Sequence, residues 1–421
     1  MMNEKVVLAE SEKSNSFKII QQFLPRFILL IAIPFSTYAE TFNTKEIKQC
    51  IYSPFVGWAI NPELIPNNEG RNITVIKDLK NQIKPNSKII NPIEVVDPTI
   101  NLSKGLSLFQ EHSEVVIGVV DTGINLGHEF FNKKNIINAK RKLASKSDFG
   151  LDFSNLKFIS TTPQDTHGHG THVSGIIKSV YPNVKIIPFK YYSTKASGQE
   201  NLLATLKALR AAIDAKVDII NYSGGGPEQC KEEKELLQEA ESKGILIVAA
   251  AGNESSNIDE SKTNAYYPAS YNLKNIISVG AYSYTSNGQS VELIPSSNYG
   301  TISVDIVAPG YRILSASTKG TEIMTGTSQA TAFVTGAAAL IKSMYPQATN
   351  EQIKNILIAA APEVKSLRGK ILSSGKLDIY ETMVKAAAVF ATPNNVPESP
   401  AKKNKVALNK SIKRKIARKS T

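Results

Sequence analysis

Three of the five histidines in this 421-residue chain fall within six positions, at His167, His169 and His172. Upstream, Asp121 closes the apolar run Val-Val-Ile-Gly-Val-Val at 115–120, and downstream Ser328 sits in Thr325-Gly326-Thr327-Ser328-Gln329-Ala330-Thr331. A hydroxyl nucleophile needs a base within reach, and the base needs a group that orients it. The chain offers Asp121, His169 and Ser328 in that order, 48 and then 159 residues apart. Charge that develops on an attacked carbonyl needs a donor, and the side-chain amide of Asn253, after Gly252, is of that type. Each residue also has a plainer reading. Ser328 could cap a helix, Asp121 and Asn253 could shape turns, and the histidines could be ordinary core or surface residues. The same three histidines also read as ligands of a hydrolytic zinc ion.

The elements that must hold these groups follow from hydrophobic pattern. Residues 332–341 carry no charge before Lys342, which predicts a helix buried on nearly every side. Its Gly-Thr lead-in puts Ser328 at the N-terminus, where unpaired N–H groups and the helix dipole favour negative charge. The 115–120 run predicts a strand covered on both faces, with Asp121 at the C-terminal end where open α/β sheets place their sites. His169 opens a helix that continues through Val173, Ile176 and Ile177. Further strands are predicted over 184–189, 217–222, 245–250 and 276–281. Helices are predicted over 201–215, over 232–243 before Gly244, from the capping box Thr349-Asn350-Glu351-Gln352 to Pro362, and over 378–390. This alternation is the rhythm of an α/β fold, a doubly wound, mostly parallel sheet with helices on both faces. The bare backbone of Ser223-Gly224-Gly225 could take an extended peptide as an added strand, or form a tight turn.

Composition bounds the rest. Hydrophobic residues make up 42% and charged residues 20%, as in a globular chain with one large domain plus extensions. Residues 1–39 read as a leader: Arg26, a short apolar run over 27–35 and the exit Ser36-Thr37-Tyr38-Ala39 predict a signal peptide and a secreted or cell-envelope location. Residues 40–96 are broken by prolines and read as an N-terminal extension or short pro-segment. The main domain spans 97–392. The tail, 393–421, is proline-spaced and basic, and its last 21 residues hold nine of the excess cations that make the net charge +12. It reads as a disordered tail that could contact anionic surfaces; no aromatic residues are interleaved for base stacking, so no nucleic acid is expected. Two cysteines, Cys50 and Cys230, make no disulfide framework and no metal pattern.

Several enzyme classes fall away. Asp121-Thr122-Gly123 has no second copy, so the paired carboxylates of an aspartic protease are missing. No histidine follows His172, as an α/β-hydrolase would require. The histidine run resembles Thr-His-x-His-x-Asp-His of metallo-β-lactamase-like hydrolases, but Thr171 stands where an Asp belongs. By contrast, the chain resembles the subtilisin-like serine proteases, the subtilase family. The likeness rests on Val119-Val120-Asp121-Thr122-Gly123, Gly168-His169-Gly170-Thr171-His172-Val173 and Gly326-Thr327-Ser328-Gln329-Ala330-Thr331. It is reinforced by Ala250-Ala251-Gly252-Asn253, Ser297-Asn298-Tyr299-Gly300, Val307-Ala308-Pro309-Gly310 and Gly375-Lys376-Leu377-Asp378.

The resemblance implies a serine endopeptidase of subtilisin-like fold acting on proteins or peptides, expected as a monomer. It makes Ser328 the nucleophile, His169 the base, Asp121 its orienter and Asn253 the oxyanion donor beside the Ser328 N–H. Ser223, Gly224 and Gly225 would pair with substrate backbone. Gly252 and Tyr266-Tyr267-Pro268, with a cis bond before Pro268, would border the primary pocket, which Tyr266 would narrow. The chain departs from the family after Ser328, where Gln329-Ala330-Thr331-Ala332-Phe333 replaces Met-Ala-Thr-Pro-His. The resemblance implies no cofactor for catalysis; between Gly175 and Val184 too few residues remain for the common calcium loop, so that calcium site is not expected, while calcium elsewhere stays open. Two other classes stay open: a zinc hydrolase built on His167, His169 and His172, and a catalytically silent subtilase fold that serves as a binding module.

Overall fold

The computed structural model describes residues 100–131, 149–284 and 291–391. The leader, the N-terminal extension, Cys50 and the basic tail lie outside these residues. A short helix α1 (Leu102–Leu106) precedes β1 (Val116–Asp121), every residue of which is buried. β1 pairs in parallel with β3 (Lys185–Lys190) on one side and with β4 (Ile219–Tyr222) on the other. The full order is β2 (Leu151–Asp152), β3, β1, β4, β5 (Leu246–Ala250), β6 (Ile276–Tyr284) and β7 (Val291–Leu293), with β8 (Ile306–Pro309) also paired to β6. Among the described strands of this sheet, only the β6–β7 ladder is antiparallel. A separate hairpin joins β9 (Ile313–Ser317) to β10 (Gly320–Met324).

Period-two alternation along buried strands sends side chains to two different cores. From β1, Ile117 and Val119 join one core with α2 (His169–Val180), α5 (Thr327–Met344), α6 (Asn350–Ala360) and α7 (Ile379–Phe390). Val116 and Val120 join the opposite core with α3 (Gly198–Asp214) and α4 (Lys231–Ser242). The sheet is thus covered on both faces, as expected from sequence, with element ends shifted by one to three residues. The start of α3 lies three residues before the predicted one, at Gly198, because Ser197 and Glu200 form a capping box there. The Thr349–Gln352 box caps α6 as predicted.

α2 and α5 pack against each other, and Gly336 on α5 is where they touch, since a β-carbon there would lie 2.8 Å from Val180 Cγ1. Where α2 gives way to β3, a tight turn points the Pro182 and Val184 carbonyls at Lys178 Nζ, at 2.6 and 3.3 Å. The Lys178 ammonium group thus ties the end of α2 to the turn that leads into β3.

His172 ties α2 to the hairpin. Its Nε2–H donates to the carbonyls of Ile313 and Glu322 at 3.0 and 3.1 Å, and its Nδ1 has no hydrogen-bond partner. Full burial, and then the neighbouring His169, lower its pKa to about 3, against the raising effect of the two carbonyls. The folded chain therefore refuses a proton that the unfolded chain accepts from about pH 6.5 downward. Stability from this group is full above that pH and falls as pH falls, by about 1.4 kcal/mol per unit. His172→Gln keeps an N–H donor and is expected to remove about one proton's worth of slope from urea-unfolding free energies measured between about pH 6 and pH 4. An unchanged slope would contradict the assignment.

Candidate active site

Strand ends gather the site at the C-terminal edge of the sheet, as in other open α/β sheets. Asp121 is the last residue of β1, and its Oδ1 accepts from the Thr122 N–H at 2.7 Å and from His169 Nδ1 at 2.8 Å. Because a carboxylate can only accept, the imidazole proton sits on Nδ1 and Nε2 is the basic nitrogen. Both side chains are buried, so the pair works in a low-dielectric setting where its geometry is held firmly.

The first turn of α2 is fitted to β1 by close backbone approach. A β-carbon at Gly170 would strike the Gly123 carbonyl and come within 3.2 Å of Asp121 Cβ. Only glycine lets the helix start come this near the strand end. Asp165, buried just before the helix, then closes the loop. Its Oδ1 accepts from Thr122 Oγ1, His167 N and Gly168 N at 3.0, 2.9 and 2.8 Å. Its Oδ2 accepts from Thr171 N and Oγ1 at 3.0 and 2.6 Å. Thr122 Oγ1 accepts in turn from Gly170 N at 2.8 Å. Five bonds to one carboxylate join the β1 end, the histidine loop and the helix start into one unit.

Ser328 is the second residue of α5 and fully buried, and its hydroxyl donates to the Ser223 carbonyl at 3.3 Å. Ser223 directly follows β4, whose Tyr222 stands beside Val120 in the sheet, so Ser223 and Asp121 leave neighbouring strands. Asn253 follows β5, and its Oδ1 accepts from Thr327 N at 2.9 Å. That bond sets which way the amide faces: oxygen to the helix start, nitrogen on the other branch. Gly252 has φ 96, a backbone state that favours glycine. Asn298 clamps the loop around it, accepting from Glu254 N and Ser256 N at 3.0 Å each and donating to the Ala251 carbonyl at 2.9 Å.

The structure brings Asp121 and His169 into contact, and Ser328 with Ser223 and Asn253 with Thr327 onto the same edge. Ser223, Gly224 and Gly225 are buried here, and Gly226 is bridged antiparallel to Tyr267. The Tyr267–Pro268 bond is cis, as the resemblance implies. The replaced segment after Ser328 continues the helix without interruption, with Ala332 and Phe333 buried.

The three histidines do not converge. His169 Nδ1 is on Asp121 and His172 Nε2 is on two carbonyls. His167 is exposed and lies edge-on to Tyr192, with ring centroids 5.7 Å apart, and burial of its inner side and then His169 lower its pKa. Among the described residues no group of three histidine, cysteine or acidic side chains is arranged to hold a metal ion. Cys230 is buried, its thiol donating to Glu232 Oε2 at 3.3 Å.

Sequence reasoning passed over Asp165, Thr122 and Asn298 as working residues. An acid four residues before a helix start is the signal that could have pointed to Asp165.

A family model described as "Subtilase family" matches residues 112–398. Subtilisin-like protease 2 of Plasmodium falciparum is 32% identical over 298 residues, covering 67% of this chain and 21% of its own length. The chain thus spans about a fifth of that relative. Subtilisin DY of Bacillus licheniformis is 30% identical over 274 residues, covering 63% of this chain and 89% of its own. A cold-adapted subtilisin-like serine proteinase of known structure is 28% identical with a TM-score of 0.51, covering 63% of this chain and 90% of that one. A structure of the subtilase cytotoxin SubAB assembly is 26% identical with a TM-score of 0.56, covering 70% and 96%.

Asp165→Asn would turn an NH₂ group toward N–H and O–H donors that now have a carboxylate. Unfolding free energy is expected to fall by about 2–4 kcal/mol, measured by urea denaturation. A loss under about 0.5 kcal/mol would show that the loop does not depend on this carboxylate.

Proposed function

The chain belongs to the subtilase family, and on that premise we propose that it is a serine endopeptidase that cleaves proteins or peptides through an acyl-enzyme. The observation that carries the reading is the 2.8 Å bond from His169 Nδ1 to Asp121, one strand away from the carbonyl that holds the Ser328 hydroxyl.

Ser328 acts as the nucleophile. Its hydroxyl leaves the Ser223 carbonyl and passes its proton to His169 Nε2 as Oγ attacks the substrate carbonyl, a contact that tightens once substrate is bound. Asp121 keeps the ring in the right tautomer and stabilises the imidazolium that forms. The imidazolium then protonates the leaving amine, and water, activated by the same nitrogen, hydrolyses the acyl-enzyme. The oxyanion is met by Asn253 Nδ2, with Oδ1 held by Thr327 N–H, and by the Ser328 N–H at the α5 N-terminus, where the dipole adds to the effect.

No cofactor enters these steps. The leader-like 27–35 run supports export and therefore a secreted or cell-envelope setting for a monomeric enzyme. No helix among the described residues is long and apolar enough to cross a membrane.

Hydrolysis of a casein or fluorogenic peptide substrate by the purified full chain tests the reading. Activity is expected to survive chelator. It should fall at least about 10⁴-fold in Ser328→Ala. Asn253→Ala should lower kcat by about 10²–10³, the magnitude known from subtilisin itself, with KM little changed. Activity that chelator abolishes while Ser328→Ala retains it would move the chemistry to a metal.

A further inference from the structure

With Ser328 as nucleophile, a scissile carbonyl carbon lies about 3–3.5 Å from its Oγ and turns its oxygen toward Asn253. The side chain of the residue that owns this carbonyl then enters the gap between two chain segments. One is 223–226, leaving β4, where the Ser223 carbonyl touches the Ser328 hydroxyl. The other is 251–253, leaving β5, where Asn253 meets Thr327.

That gap is already filled. The ring of Tyr266, only 3% exposed, stands in it. A β-carbon at Gly225 would collide with Cε1 and lie 2.8 Å from Cζ, while a β-carbon at Gly252 would lie 2.8 Å from Cδ2 on another part of the ring. The two glycines form opposite walls, and the aromatic ring takes the space between them.

The ring is also fixed in place. Tyr266 N donates to Ser270 Oγ at 3.1 Å, and its carbonyl accepts from Ser270 N at 2.8 Å. The next residue, Tyr267, exchanges two backbone hydrogen bonds with Gly226, at 2.8 and 3.0 Å. Ala251, Ile258 and Ala269 share the apolar cluster around the ring. Moving it aside would break the bridge that ties the Tyr266 segment to the 223–226 wall.

We propose that Tyr266 closes the floor of the primary specificity slot, so that the peptidase cleaves after glycine, alanine or serine and rejects aromatic and long aliphatic residues there. This rests on the serine-peptidase reading above. A side chain with one carbon beyond Cα fits above the ring, whereas phenylalanine or leucine needs the volume that the ring occupies.

The test uses the full chain and a pair of tetrapeptide p-nitroanilides that differ only in the residue before the anilide, Ala or Phe. Wild type is expected to favour the Ala substrate in kcat/KM by about 100-fold or more. Tyr266→Gly and Tyr266→Ser, each checked for folding by circular dichroism, are expected to lower that ratio at least about 10-fold. Wild type that cleaves both substrates equally, or prefers Phe, overturns the proposal without any variant. A folded variant that keeps the wild-type ratio overturns the assignment to Tyr266. Hydrolysis of neither substrate by wild type sinks the reading of Ser328 on which the slot depends, a failure distinct from equal hydrolysis of both.

Discussion

A buried hydrogen bond between a strand end and a helix start organises this molecule. Asp121 and His169 meet at 2.8 Å, and neither side chain reaches solvent. A charge buried in this way is costly unless it is fully engaged. The fold answers with the Thr122 N–H on the carboxylate, a glycine at position 170 that lets the helix approach, and the Asp165 cluster that pins the loop. Loosening any one of these would leave the pair without a fixed geometry, because each group is held by backbone and by short side chains rather than by long flexible ones.

The second half of the site depends on a different constraint. α5 runs through the middle of a core, so its N-terminus can sit on the sheet edge only if its buried length is uncharged and polar groups such as Thr331 and Thr335 bond internally. Small residues make this feasible, with Gly336 letting α2 come close. The result is that two helices starting at one edge present His169 and Ser328 from rigid elements, while Asn253 and Ser223 come from the ends of β5 and β4. The geometry of the candidate site is a property of helix packing and strand order more than of the loops.

The parts of this arrangement that sequence revealed are those written in local pattern. The 115–120 run predicts a buried strand because β-branched residues with no polar alternation have only that use, and the uncharged 332–341 run likewise predicts a central helix. The Thr349 capping box is visible because both partners lie within four residues. Asp165 was not, since its bonds to Thr122 and Thr171 span 43 and 6 residues and acquire meaning only when β1 and α2 are side by side. Asn298 clamps a loop 44 residues away, which no periodicity encodes. The resemblance implies that Tyr266 narrows a pocket, but the close approach of its ring to both Gly225 and Gly252 is visible only in the folded chain. The histidine cluster misleads for the opposite reason: adjacency in sequence suggests shared ligation, and a helix then sends His169 and His172 to different partners.

The central claim is that Ser328 is an activated nucleophile, and covalent labelling tests it most directly. The full chain would be treated with a fluorophosphonate in the presence of chelator, digested, and the modified peptide located by mass spectrometry. The account predicts a phosphonyl adduct on Ser328, formed at a rate that falls sharply when the protein is first unfolded. An intact, folded chain that carries no adduct there, or carries it equally on other serines, would contradict it.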